Sequence, residues 1–129
     1  MANPNIVSVA SIYGECCGWA LTNTLTTTLF TVSGSKLIKV NRIVCANVDG
    51  TNAADLNLYI TTAIQTSLGG TIASGATDIY LAKTISVPAD ASLVVSDTPI
   101  YLRENDILKG GASAASDLEL FISYEVIAV

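Results

Sequence analysis

Apolar and polar residues alternate along most of this chain. Leu56, Leu58 and Ile60 interleave with Asn57, Tyr59 and Thr61, and Leu118, Leu120, Ile122, Tyr124 and Val126 interleave with Glu119, Phe121, Ser123 and Glu125. A period of two puts each set on one face of a β-strand. In LIKVNRIVCANV, residues 37–48, the same pattern sets Ile38, Val40, Val44, Ala46 and Val48 against Lys39, Asn41 and Asn47. Arg42 is out of step there, as expected of an edge or an interface. Strands are expected at 6–13, 16–21, 27–32, 37–48, 55–65, 78–87, 92–95, 98–102, 106–109 and 118–128, nine or ten in all. No segment of useful length carries a helical period, and Thr and Ile resolve the ambiguous stretch 61–67 toward strand.

The intervening segments SGSK, VDGTNAA, SLGGTIASGA, VPADA, SDTP, REND and GGASAASD are rich in the residues that turns require. Many short strands with regular punctuation predict an all-β fold, a β-sandwich or barrel. At 129 residues the chain fits one domain, 1–129, with 1–13 as an N-terminal arm or intersubunit strand. Segment 67–76 is small and uncharged, suiting a long hairpin tip or a stretch ordered by a neighbouring subunit.

Composition adds an expectation of assembly. Half of the residues are hydrophobic, only 13% are charged, and the mean hydropathy is positive at +0.53, yet no apolar run is long enough for a membrane helix. The excess suggests burial against other subunits. A net charge of −5 and six scattered cations (Lys36, Lys39, Arg42, Lys83, Arg103, Lys109) argue against nucleic acid, which needs a concentrated basic footprint. The stretch MANPNIVSVASIYG has neither a basic n-region nor an unbroken apolar h-region, so cytoplasmic synthesis and folding are expected.

Candidate chemistry is sparse. Cys16, Cys17 and Cys45 form no disulfide framework, and without any histidine a cysteine nucleophile lacks its usual base. They read as reduced thiols, two or three of them small buried hydrophobes. Asp90, Asp97, Glu104 and Asp106 cluster in sequence around two apolar runs, as a glycosidase pair would, but Asp90 and Asp97 sit in turns where a short carboxylate bonds local amides, and Glu104 and Asp106 read as part of a polar loop joining two strands. DGTNAAD, residues 49–55, offers Asp49 and Asp55 as calcium ligands without the EF-hand spacing, and a hairpin turning at Asp49-Gly50 is the plainer reading. Three cysteines without histidine cannot fill a four-ligand zinc site. Gly69-Gly70 and Gly110-Gly111 lack the context of a phosphate loop and read as flexible turns. Trp19, the sole tryptophan, is thin material for a sugar platform. No catalytic, cofactor-binding or metal residue is assigned, and no enzyme, cofactor or membrane partner is expected.

Taken in order, NRIVCANVDGTNAADLNLYI, YLAKTISVPADASLVVSDTPIYLREND and SAASDLELFISYEVI give about the last two-thirds of the chain a resemblance to small virion proteins of tailed bacteriophages. The shared pattern is a V-D-G-T-N hairpin, an I-S-V-P-A turn leading to L-V-V, a P-I-Y-L-x-E-x-D segment and a strand ending near Ser-Tyr-Glu. Asp90 and Asn105 stand where related turns often carry Gly; both residue types enter the left-handed region more readily than other side chains. The resemblance implies a virion structural protein assembled in the host bacterial cytoplasm. The first expectation is a capsid decoration or cement protein, an antiparallel β-sandwich of jelly-roll type that bridges major-capsid subunits as a homotrimer at local three-fold positions. A neck, tail or fibre component is the second, and a host-surface carbohydrate-binding module is the reading from another class.

Overall fold

The computed structural model describes residues 10–62 and 77–128. Among these the chain forms nine strands and no helix: β1 (Ser11–Ala20), β2 (Thr28–Thr31), β3 (Lys36–Asn47), β4 (Ala54–Thr62), β5 (Thr77–Val87), β6 (Ser92–Ser96), β7 (Ile100–Leu102), β8 (Ile107–Ala112) and β9 (Leu118–Ala128). One antiparallel sheet, A, runs β1-β9-β3-β6 with β7 also on β3, and the other, B, runs β2-β8-β4-β5. Along β3, β7 covers the first half and β6 the second, so the two act as one broken edge strand. The chain then changes sheet at every connection except that from β4 to β5, which pair with each other. This is the strand order of a jelly roll, and it resolves the sandwich-or-barrel choice left by the strand-and-turn pattern in favour of a sandwich.

Alternation builds the core between the sheets. Ile43, Leu118, Leu120 and Ile122 from sheet A meet Leu56, Leu58 and Leu108 from sheet B, all essentially without exposure. Each such side chain contributes about 1.5–3 kcal/mol on burial. β3 corrects the sequence reading in one respect. Its pairing with β9 slips between Val40 and Arg42, and this bulge reverses the alternation. Ile38 and Val40 face the core before it, while Ile43, Cys45 and Asn47 do so after it, leaving Val44, Ala46 and Val48 outward. Arg42 therefore marks a bulge in a central strand, not an edge.

Three further expectations change. The predicted strands 6–13 and 16–21 merge where they are described: β1 runs unbroken through Gly14, where an added Cβ would meet nothing within 4 Å among the described residues. Residues 11–13 belong to β1 and pair with β9 of the same chain, and 1–9 and 67–76 lie outside the described residues. The Asp49-Gly50 segment is an arch between sheets, because β3 and β4 do not pair. Gly110 and Gly111 are not a flexible turn but the end of β8. A Cβ on Gly110 would penetrate the Asn57 carbonyl oxygen and come within 3.1 Å of Leu58 Cα.

Two buried asparagines organise the irregular places. Asn47 donates through Nδ2 to Asn52 O (3.0 Å) and Val87 O (2.9 Å), and its Oδ1 accepts the Asp49 N–H (2.9 Å). One side chain thus ties the end of β3 to the arch and to the end of β5. Asn57 Oδ1 accepts the N–H of Thr84 (3.1 Å), which sits at φ 52 where the β4–β5 register slips. Asp90 (φ 57) and Asn105 (φ 68) both adopt the left-handed conformation that their residue types suit.

Candidate functional site

The four acids that cluster in sequence are separated in space. Measured along β3, Asp90 lies at the Asn47 end, where its N–H donates to Asp49 O, while Glu104 and Asp106 lie beyond β7 at the Lys36 end. Asp97 sits between β6 and β7, on the edge of sheet A, and is exposed. Glu104 and Asp106 are buried at 2% and 4% exposure, a feature that a polar-loop reading does not predict. Their carboxylates hold backbone: Glu104 Oε2 accepts the Ser35 N–H (2.7 Å) and Asp106 Oδ2 accepts the Arg103 N–H (2.9 Å). The corner is fastened further by Asn105 N–H to Val32 O and Val32 N–H to Asp106 O. These acids shape turns.

The arch residue Asp49 is likewise occupied. Its carboxylate accepts from Thr51 N–H (2.8 Å), Asn52 N–H (3.3 Å) and Asn52 Nδ2 (3.2 Å). Those donors, Thr51 first, hold its carboxyl below the usual carboxylate range. Asp55 meets Ser113 through its backbone: its N–H donates to Oγ, and its carbonyl accepts the Ser113 N–H. Among the described residues no three His, Cys, Asp or Glu side chains gather as a metal site would require.

The cysteines differ in exposure. Cys45 is fully buried in the core, and burial pushes its thiol up to about 11. Cys17 is half-buried and also raised, by burial and then by Cys16 and Glu15. Cys16 departs from the buried reading: it lies exposed on the outer face of β1. A disulfide-exchange reagent at pH 8 should therefore label Cys16 first and Cys45 only on unfolding, and Cys16→Ser should remove the fast phase. A fast phase surviving that substitution would contradict this order.

Two surfaces remain as candidates for binding. The first is the outer face of sheet A. Phe121, Val94 and Tyr101 are 49%, 46% and 50% exposed there. Phe121 stands across β1 from Gly18 and across β3 from Val44, which pairs in turn with Val94. Gly18, Ala20 and Ala46 line a shallow depression beside the Phe121 ring. On the same face Lys39 and Glu125 pair at 3.7 Å, and Asn41 Nδ2 donates to Glu125 Oε2 at 3.1 Å.

The second surface is a cleft of about 420 Å³ at the open side of the sandwich, between β1 and β2. Strand β1 turns Tyr13, Glu15, Cys17 and Trp19 toward it, because these alternate residues point between the sheets while β2, only four residues long, leaves the mouth uncovered. Trp19, Phe30 and Tyr124 form a row of near-parallel rings, with centroids 6.2 Å apart at each step and tilts of 11° and 14°. The Tyr124 hydroxyl donates to Glu15 Oε2 at 3.0 Å. Burial, and then this bond, push the Tyr124 phenol up to about 12. Lys36 completes the rim. Trp19 thus has aromatic company that its isolation in the sequence conceals.

No protein-family model matches the chain, and no curated protein matches it.

Proposed function

We propose that this chain is a structural protein of a tailed-bacteriophage virion, a capsid decoration protein that docks through the outer face of sheet A. The observation that carries the reading is an apolar patch on that face. The inner face of sheet A packs in the core, yet Phe121 and Val94 stand exposed on the outside, side by side across Val44. Grouped, exposed side chains of this kind mark an interaction surface. A sheet with one solvated face alternates to polar residues there, as Lys39 and Glu125 do toward one end of this sheet, whereas the other end presents Val44, Ala46 and Phe121 beside Gly18. Jelly rolls are common in capsid and lectin domains, which fits the reading without deciding between them. The work envisaged is mechanical: interface added between major-capsid subunits stabilises the shell by mass action, and a homotrimer suits local three-fold positions.

The deciding experiment is to locate the protein in a reconstructed particle. Copies spread over the head lattice support decoration, and a small ring at one vertex would place it in the neck or tail instead. In a binding assay with emptied heads, Phe121→Ser and Val94→Ser should each weaken attachment about tenfold or more while leaving the unfolding temperature nearly unchanged. A monomeric protein that binds no head would overturn the proposal.

A further inference from the structure

We propose that the cleft between β1 and β2 binds a neutral saccharide, seated on the row of Trp19, Phe30 and Tyr124 and held at the rim by Glu15 and Lys36. A pyranose ring presents an apolar C–H face and an edge of hydroxyls, so its complement is a flat aromatic surface bordered by hydrogen-bonding groups. The cleft has an aromatic wall and such a border. Its three half-buried rings stack in near-parallel planes with centroids 6.2 Å apart, a stepped wall along the cleft instead of a closed cage around a cation. Glu15 is exposed and has one carboxylate oxygen engaged by the Tyr124 hydroxyl. A carboxylate has about four lone-pair sites, so acceptor capacity remains for sugar hydroxyls. Lys36, also exposed, supplies donors at the same rim.

Charge favours a neutral ligand. One carboxylate and one ammonium line the cleft, so neither an anion nor a quaternary amine meets a uniform opposite field. The volume of about 420 Å³ falls within the range of small-ligand sites. The cleft opens at the sandwich edge, apart from the Phe121 face, so saccharide binding and docking on a capsid can succeed or fail separately.

Trp19 is the sole tryptophan, and its fluorescence reports the cleft directly. The full chain is titrated with cellohexaose, maltohexaose and chitohexaose in one arm and with isolated bacterial envelope polysaccharide in another. Choline and inorganic phosphate serve as charged controls, and calorimetry provides a second readout. A saturable change with a saccharide in either arm, absent with both controls, supports the proposal, and the responding arm tells a free sugar from a polymer. Tyr13→Ala and Glu15→Gln, both at exposed positions, should weaken that binding about tenfold or more without moving the unfolding temperature. The proposal is overturned by the absence of saturable binding to any saccharide, by equal or stronger binding of a control, or by binding unaffected in both variants.

Discussion

Replacing Gly110 by alanine should destabilise the protein by about 3 kcal/mol or more, since the added methyl meets backbone on the neighbouring strand. The Cβ would overlap the Asn57 carbonyl oxygen and press on Leu58 Cα and Cδ1, in the middle of the β4–β8 pairing. Flexible side-chain ends could swing away, but a ladder backbone cannot. Two other glycines calibrate the measurement. At Gly111 a Cβ would meet Thr24 O at 2.7 Å and Thr22 O at 2.9 Å, a shallower overlap than at Gly110, so Gly111→Ala should destabilise but cost less. At Gly14 an added Cβ would have nothing within 4 Å among the described residues, and Gly14→Ala should be neutral or slightly stabilising through the unfolded chain. Thermal denaturation should rank them in that order, with Gly110→Ala lowering the midpoint by roughly 10 °C or more. Equal effects at Gly110 and Gly14 would contradict the close approach of β8 to β4.

Asn47 should be nearly as sensitive. Its side chain satisfies two carbonyls and one N–H drawn from the arch and the end of β5, and it is only 3% exposed. Asn47→Ala strands buried backbone groups and should cost about 3 kcal/mol. Asn47→Asp adds a pH signature. The new carboxylate would face the Asn52 and Val87 carbonyl oxygens in a buried place, which raises its folded pKa above the unfolded value of about 3.9. A raised folded pKa means that relative stability is greatest below about pH 4 and is lost as the pH climbs through the folded value. Denaturant unfolding of this variant against the parent at pH 4 and pH 7 should therefore show the larger deficit at pH 7. A deficit independent of pH would mean that the side chain relaxes out to water.

The sequence carries much of this architecture because a period of two is a direct record of which residues face the core. β9 and the alternation of β4 are legible in full for that reason. The period does not record which sheet a strand joins, so the Asp49-Gly50 arch is indistinguishable from a hairpin until β3 and β4 are seen in different layers. Nor does it survive an inserted residue. The bulge beside Arg42 shifts the phase, and the one misfit residue was the visible sign of it. The glycines of β8 mislead because the same absence of a side chain serves a flexible turn and a tight strand crossing. Asp90 and Asn105 are legible because left-handed backbone favours few residue types. The cleft is hidden differently. Its rings come from β1, β2 and β9, and the clue in β1, the alternate row Tyr13, Glu15, Cys17 and Trp19, shows only when Gly14 is allowed inside an unbroken strand.

The place of β9 between β1 and β3 has a kinetic consequence. Of the nine described strands β9 is made last, yet the centre of sheet A depends on it, and one of its two neighbours, β1, is made first. Sheet A cannot close until β9 has been made, so β1 and β3 wait without their shared partner. Contacts between strands so far apart in sequence give a high contact order, and such topologies fold in milliseconds to seconds instead of microseconds. During that wait apolar segments of β3 and β4 are open to aggregation. The order of synthesis thus makes the unfinished chain, more than the finished sandwich, the form in greatest need of protection in the cell.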